Sequence, residues 1–372
     1  MTASAPGWFS VSNIDEVTSP SLLVYPERAE ENIRRMIAFT GGVKRLRPHM
    51  KTHKMREIIL LQLAAGITKF KCATIAEVEM TVACGAKDVL LAYQPVGPNA
   101  TRVVQLVQQY PETSFAVLVD DEGALRNLSE VVVRANATVT VLLDLDCGQH
   151  RCGIEPGKPA LALYQLIASL PGVKPGGLHA YDGHIHDTDL AVRTKNCETA
   201  FAPVTKLRQE LSAAGLSVPR VVAGGTPTFP MHAKRPDIEC SPGTCVFWDF
   251  GYADMLPDMD FLVAALVLTR VVSKPGGNLL CLDLGHKAIA SENPQPRVRL
   301  LGLENVQFVT HSEEHLVVET PRAAEFKVGD ALYGIPRHIC PTVALHSQAV
   351  VVRQGRAVEQ WKVAARERRL TI

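Results

Sequence analysis

The chain has 372 residues, 47% of them hydrophobic and 21% charged, with a formal net charge of +1. That much apolar material supports a large packed core and excludes a disordered chain. The near-zero charge excludes nucleic-acid or membrane-surface binding through bulk electrostatics, and no run of about 18 apolar residues is present to span a membrane. The first thirteen residues lack a basic region followed by an apolar run, so no secretory signal is expected. The nine scattered cysteines are then expected to be reduced thiols in the cytoplasm.

In chain order, Leu22-Leu23-Val24-Tyr25 predicts a first strand, and Pro26 opens a helix where its missing N–H is harmless. Further strands are predicted at 45–50, 69–73, 88–92, 115–119, 139–145, 177–181 and 220–223, with helices between them. Thr74-Ile75-Ala76-Glu77 is a capping box that opens one of these helices. Alternation of this kind implies parallel strands joined by right-handed crossovers, and eight units have the size of a (β/α)8 barrel. An open doubly wound sheet is the rival, but no GxGxxG turn follows the first strand. Near Asp249 the texture changes. The runs 261–273, 278–284, 315–319, 331–335, 349–353 and 358–364 predict a second, mostly antiparallel β domain.

Barrel strands end on the active face. The second strand ends in Arg47-Pro48-His49-Met50-Lys51-Thr52-His53-Lys54. Taken alone, such a run reads first as a solvated basic loop. At a strand end it also suits an anionic ligand, or amine chemistry by a lysine. The sixth strand delivers Asp146 to Gly153, the seventh His179, Tyr181, Asp182, His184 and His186, and the eighth Gly224-Gly225-Thr226. Gly224-Gly225-Thr226 and Pro242-Gly243-Thr244 offer bare N–H groups and hydroxyls of the kind a phosphate needs, though each is also ordinary turn chemistry. A lysine and a phosphate cradle at one barrel mouth suggest pyridoxal phosphate. His338 and Cys340, two apart on an expected strand, would face the same way and could ligate a divalent metal; a buried Cys beside a satisfied His is the plainer alternative.

The octapeptide resembles the RPHxKTHK motif of fold-type III pyridoxal-phosphate enzymes of the D-threonine aldolase and D-serine dehydratase group. The likeness runs from Ser19-Pro20-Ser21-Leu22 through Asp144 to Gly153 and on to His338-Ile339-Cys340-Pro341-Thr342. It implies an alanine-racemase-like architecture, with a cofactor-binding barrel at 14–254 and a β domain at 255–372, in a homodimer. Residues 1–13, chiefly Gly7 to Asn13, would add a strand to the β domain. By motif position Lys51, not Lys54, is the Schiff-base lysine. Arg151 matches the arginine facing the pyridine nitrogen, and His49, Tyr181, Gly224, Gly225, Thr226, Gly243 and Thr244 fall where the group holds the cofactor. Arg47, His49, His53 and Lys54 would form cationic surroundings for it. His338 and Cys340 match the metal pair, with zinc favoured by the thiolate and manganese by the aldolase analogy.

The implied reaction is cleavage of a D-3-hydroxy amino acid, D-threonine giving glycine and acetaldehyde. A metal-bound water, His184 or His186 would take the hydroxyl proton. His-x-Cys is the dehydratase form of the metal pair, so D-serine dehydration to pyruvate and ammonia is the alternative. A non-catalytic cofactor-binding protein is the third reading, against which the retained metal pair argues. No nucleic-acid or membrane partner is expected.

Overall fold

In the computed structural model, residues 7–372 are described. The chain forms two compact units that interleave in sequence. One contains residues 33–51, 59–245 and 367–372; the other contains, of the described residues, 7–32, 52–58 and 246–366.

The first unit is built on seven parallel strands in sequential order: β2 (Lys69–Cys72), β3 (Asp88–Leu91), β4 (Ser114–Val119), β5 (Val139–Asp146), β6 (Val173–Tyr181), β7 (Val221–Ala223) and β8 (Ile238–Cys240), with β1 (Ser21–Val24) lying elsewhere. The extended segment 46–50 joins the two edges. Leu46 bridges Cys240 of β8, and His49 bridges Lys71 of β2. Arg47 N donates to Cys240 O (2.9 Å), and Met50 N to Lys71 O (2.8 Å). The expected barrel is therefore present with one change of membership. Leu90, Ala116, Leu118, Leu142 and Val222 pack together inside it.

The change concerns the first and last strands. Leu22-Leu23-Val24 was expected in the barrel, yet β1 lies in the other unit's sheet. It pairs parallel with β15 (Gln348–Arg353) and antiparallel with β9 (Ala265–Ser273). A short apolar run announces burial on both faces but not which sheet provides it. The vacant place is taken by β8, whose three residues were too few to show a pattern. The chain accordingly does not run as a barrel over 14–254 and then a β domain over 255–372; among the described residues, 7–32 belong to the unit that holds the β sheet.

That sheet also holds β10 (Leu279–Leu282), β11 (Val298–Leu300), β12 (Gln307–His311), β13 (Leu316–Glu319), β14 (Ala331–Pro336) and β16 (Arg356–Lys362). Its order is β12-β13-β10-β9-β1-β15-β16, with β14 pairing both β9 and β11. Every pairing is antiparallel except β1 with β15. The strand expected over 7–13 does not form. Its backbone turns at Ser10 N to Gly7 O, and only Ser12 N to Gly355 O and the Asn13–Ala357 pair link it to the β15–β16 turn. Residues 1–6 of that expectation lie outside the described residues.

Candidate active site

Arg47, His49 and Lys51 are two apart and share one face of the extended segment, so depth and local partners, not alternation, separate the basic residues by role. Arg47 is fully buried, and its guanidinium bonds Glu239 Oε2 (2.7 Å) and Asp88 Oδ1 (2.8 Å). It is a paired structural charge, and removing one partner of such a group is strongly destabilising. His53 is buried too, and burial pushes its imidazole down to about 3, so it is neutral. Lys54 turns away, its Nζ 3.4 Å from Ala365 O. The expected ring of cations from Arg47, His53 and Lys54 is therefore not assembled, because pairing and desolvation remove two of its members and geometry the third.

His49 and Lys51 instead line a cavity of about 390 Å³. Lys71, Asp144, Gln149, Arg151, His179 and Tyr181 share its wall. The Arg151 guanidinium carbon lies 5.1 Å from the Tyr181 ring centre, and the Lys51 Nζ 6.0 Å. The loop carrying Arg151 is shaped by Asp146, whose Oδ1 accepts from Gly148 N (2.9 Å) and His150 N (3.0 Å). At Gly153 a Cβ would meet Asp146 N at 2.5 Å, so only glycine lets the loop return to β5.

One residue the sequence reading passed over stands at this wall. Lys71 Nζ lies 3.2 Å from His179 Nε2, and His179 Nδ1 lies 2.6 Å from Asp144 Oδ1. All three side chains are buried; Asp144 and His179 pair in register on the adjacent strands β5 and β6, and Lys71 reaches His179 from β2. Burial, and then the charge of Lys51, push the Lys71 amine down to about 7, against Asp144 and Asp182 and with Arg47. The available signal was a lysine in the middle of a buried strand, Lys69-Phe70-Lys71-Cys72. Fully buried lysines are rare without a partner or a task.

Thr226 Oγ1 accepts from Gly243 N (3.3 Å) and Thr244 N (3.2 Å), so the two predicted loops do meet. Gly225 N reaches Thr228 Oγ1 at 3.3 Å. A Cβ on Gly225 would lie 2.9 Å from the Tyr181 ring. These N–H groups make only long, weak bonds, and the buried Ser241 Oγ has no hydrogen-bond partner among the described residues. Such a cradle fits an anionic oxygen group. Behind it, Asp182 accepts from Thr228 Oγ1 (2.7 Å) and His232 Nε2 (2.7 Å). Asp182, Cys197 and His232 lie close enough to hold a metal. Yet Arg235 Nη1 sits 2.8 Å from His232 Nδ1, and burial pushes the Cys197 thiol up to about 12. A guanidinium and a protonated thiol make this a hydrogen-bonded anchor for the Gly224–Thr228 loop.

His184 and His186 are not among the residues lining the Lys51 cavity. His186 Nδ1 bonds the His184 carbonyl (2.6 Å), and His184 packs against Gly148.

In the other unit, His338 and Cys340 do not lie on a strand. His338 is the N-cap of the helix Ile339–Leu345, and Cys340 is in its first turn. The side chains nevertheless touch, and His338 Nδ1 lies 2.6 Å from Glu292 Oε1. Burial lowers the His338 pKa, but Cys340, Asp249 and Glu292 together push it up to about 9. These surroundings stabilise positive charge, and a soft N/S donor pair there fits a divalent cation. Cys340 Sγ also lies 3.2 Å from Thr52 Oγ1, and Thr52 follows Lys51 in the chain. Asp249 accepts from Ile339 N (2.9 Å) and so fixes the helix that carries Cys340.

Residues 24–249 match the family described as alanine racemase, N-terminal domain, and residues 264–352 match the putative serine dehydratase domain. The chain belongs to the alanine racemase-like, fold-type III family of pyridoxal-phosphate enzymes. It is similar to the D-threonine aldolase of an Arthrobacter species, with 32% identity over 356 residues covering 94% of this chain and 93% of that one. It is 28% identical over 367 residues to the 3-hydroxy-D-aspartate aldolase of Paracoccus denitrificans, covering 94% and 92%. The crystal structure of D-threonine aldolase from Filomicrobium marinum superposes with a TM-score of 0.88 at 28% identity, covering 97% of this chain and 99% of that one. Among the described residues of this fold-type III chain, no helix is long and apolar enough to cross a membrane, and none of the nine cysteines is in a disulfide.

Proposed function

We propose that this chain is a lyase that cleaves D-3-hydroxy amino acids between Cα and Cβ, converting D-threonine to glycine and acetaldehyde. The whole-chain likeness to a D-threonine aldolase carries this reading. We assign pyridoxal phosphate to the barrel unit and a divalent cation, zinc by its thiolate donor, to His338 and Cys340. A homodimer is part of the proposal, as the family resemblance implies.

The cleavage requires a proton to leave the β-hydroxyl, the Cα–Cβ pair to stay on Cα, and a proton to return to Cα. Pyridoxal phosphate supplies the sink for that electron pair, and the cation supplies Lewis acidity toward the hydroxyl. Lys51 Nζ is the amine that would hold the cofactor's aldehyde end. Gly225, Gly243 and Thr244 offer N–H groups to its phosphate, with the Tyr181 ring closing the wall and Gly224 and Thr226 shaping the loop. Arg151 keeps a permanent charge beside that ring. His49 lies on the same wall, its Nδ1 3.3 Å from Lys51 N. Lys71, His179 and Asp144 are joined by buried hydrogen bonds at the cavity wall. His184 and His186 gain no support as the base, since the cavity wall contains neither.

The match of residues 264–352 to a putative serine dehydratase domain favours a second reading, D-serine to pyruvate and ammonia. The deciding experiment incubates the holoenzyme with D-threonine, D-serine and D-phenylserine, with and without added metal. Glycine and an aldehyde are expected; pyruvate from D-serine without cleavage of D-threonine would replace the aldolase reading by the dehydratase one. Turnover of none of the three would favour a cofactor-binding protein without catalysis.

A pH prediction follows from Lys71. As pH falls through about 7, its amine gains a proton and places a charge beside Lys51. The kcat/KM profile, which reports free-enzyme ionisations, should show an inflection there that Lys71→Met removes. An unchanged inflection in the variant would assign it to another group.

A further inference from the structure

The segment Glu367–Ile372 belongs to the barrel unit, although the residues before it belong to the β unit. It is tied down at several points. Arg102 Nε and Nη2 donate to Ile372 O (3.0 and 2.7 Å), and Arg102 Nη2 also to Arg368 O (3.2 Å). The buried Glu79 accepts from Thr371 N (2.9 Å), Thr371 Oγ1 (2.5 Å) and Ile372 N (3.3 Å). Arg102 and Glu79 reach out from two successive helices, Pro98–Gln109 and Ile75–Ala83, so the strap is anchored on both.

The strap brings Arg368 to the wall of the cavity that contains Lys51. Arg368 also lines an adjoining cavity of about 280 Å³ with Ala73, Thr74, Tyr93, Asn99 and Arg102. The Arg368 side chain is exposed, and its guanidinium has no hydrogen bond or ion pair among the described residues. Among the other cations of the main cavity, the buried Lys71 is engaged with His179, Arg151 lies against the Tyr181 ring, and Lys51 is the amine assigned to the cofactor. A free guanidinium at the mouth is suited to a carboxylate, which it binds with two parallel bonds.

We infer that Arg368, held by this strap, is a specificity-determining residue that selects D-3-hydroxy amino acids bearing a second, distal carboxylate. The inference rests on the lyase reading above and narrows its substrate class. An α-carboxylate common to all substrates gives no reason for a cation so far out. A carboxylate beyond Cβ does, because it extends away from the amine end toward the mouth.

The test compares kcat/KM of the holoenzyme for 3-hydroxy-D-aspartate and for D-threonine. The wild type should prefer the acidic substrate, increasingly so at low ionic strength. Arg368→Ala should lower the ratio of the two values by about 10- to 100-fold, chiefly through KM for the acid, as expected for one charge-assisted bidentate contact. Arg368→Lys should recover part of it. Arg102→Leu, which keeps the Arg368 side chain but removes bonds that hold the strap, should shift the ratio the same way. A ratio that stays within about twofold in Arg368→Ala, or an equal loss on both substrates, would overturn the inference. If the wild type cleaves neither compound, the lyase reading fails by itself. The inference is then judged by titrating D-aspartate against D-alanine and following the visible band of the bound cofactor. Arg368→Ala should weaken D-aspartate selectively, and equal affinities in the wild type would overturn the inference.

Discussion

Lys51→Ala is expected to lose the visible absorbance of bound cofactor and to lower turnover by more than about 10³-fold, a barrier increase of about 4 kcal/mol. The reason is positional. Lys51 directly follows the segment that closes the barrel, on the cavity wall with Tyr181 and Arg151. Lys54, three residues on, has a left-handed backbone (φ 53°) and points its amine at Ala365 O. Lys54→Ala should therefore keep the absorbance. Spectra of the two purified variants decide the matter. Absorbance that survives in Lys51→Ala and vanishes in Lys54→Ala would reverse the assignment.

Removing the metal pair should have the second-largest effect. Cys340→Ala and His338→Ala should each leave less than one bound divalent ion per chain by elemental analysis, and turnover should fall at least about 10²-fold, the scale of a lost Lewis acid. A chelator should reproduce the loss in the wild type, and added metal should reverse it there but not in the variants. Glu292, which bonds His338 Nδ1, should matter less. Its replacement by Ala removes the partner that orients the imidazole, and metal affinity should drop about 10- to 100-fold. Full turnover after exhaustive chelation would separate the His338–Cys340 pair from the reaction.

Legibility varied with the range of the interactions involved. The barrel strands from Lys69 to Ala223 announced themselves because each helix–strand unit carries its own hydrophobic period and punctuation. The capping box at Thr74 appears as expected, Glu77 N donating to Thr74 Oγ1 at 3.1 Å. Lys71 is not legible locally because it sits inside a strand, and its meaning comes from His179, more than a hundred residues later. His338 and Cys340 were identified as a pair although their local structure was misjudged. A two-residue spacing can bring side chains together at a helix N-terminus as well as on a strand.

The sequence alone determined the alternating α/β architecture, the β-rich second half, the lysine-bearing octapeptide and the donor pair. Each of these is written in residues close together along the chain. Only the tertiary structure decided the rest: that β1 joins the far sheet, that Arg47 and His53 carry no free charge toward the cavity, that Lys71 does share it, and that residues 367–372 return to the barrel with Arg368. All four depend on desolvation and pairing between residues distant in sequence. Burial neutralises His53, two carboxylates from β3 and β8 consume Arg47, and Arg102 with Glu79 holds the final strap. Such contacts carry no local period, and they become readable only when the chain is folded.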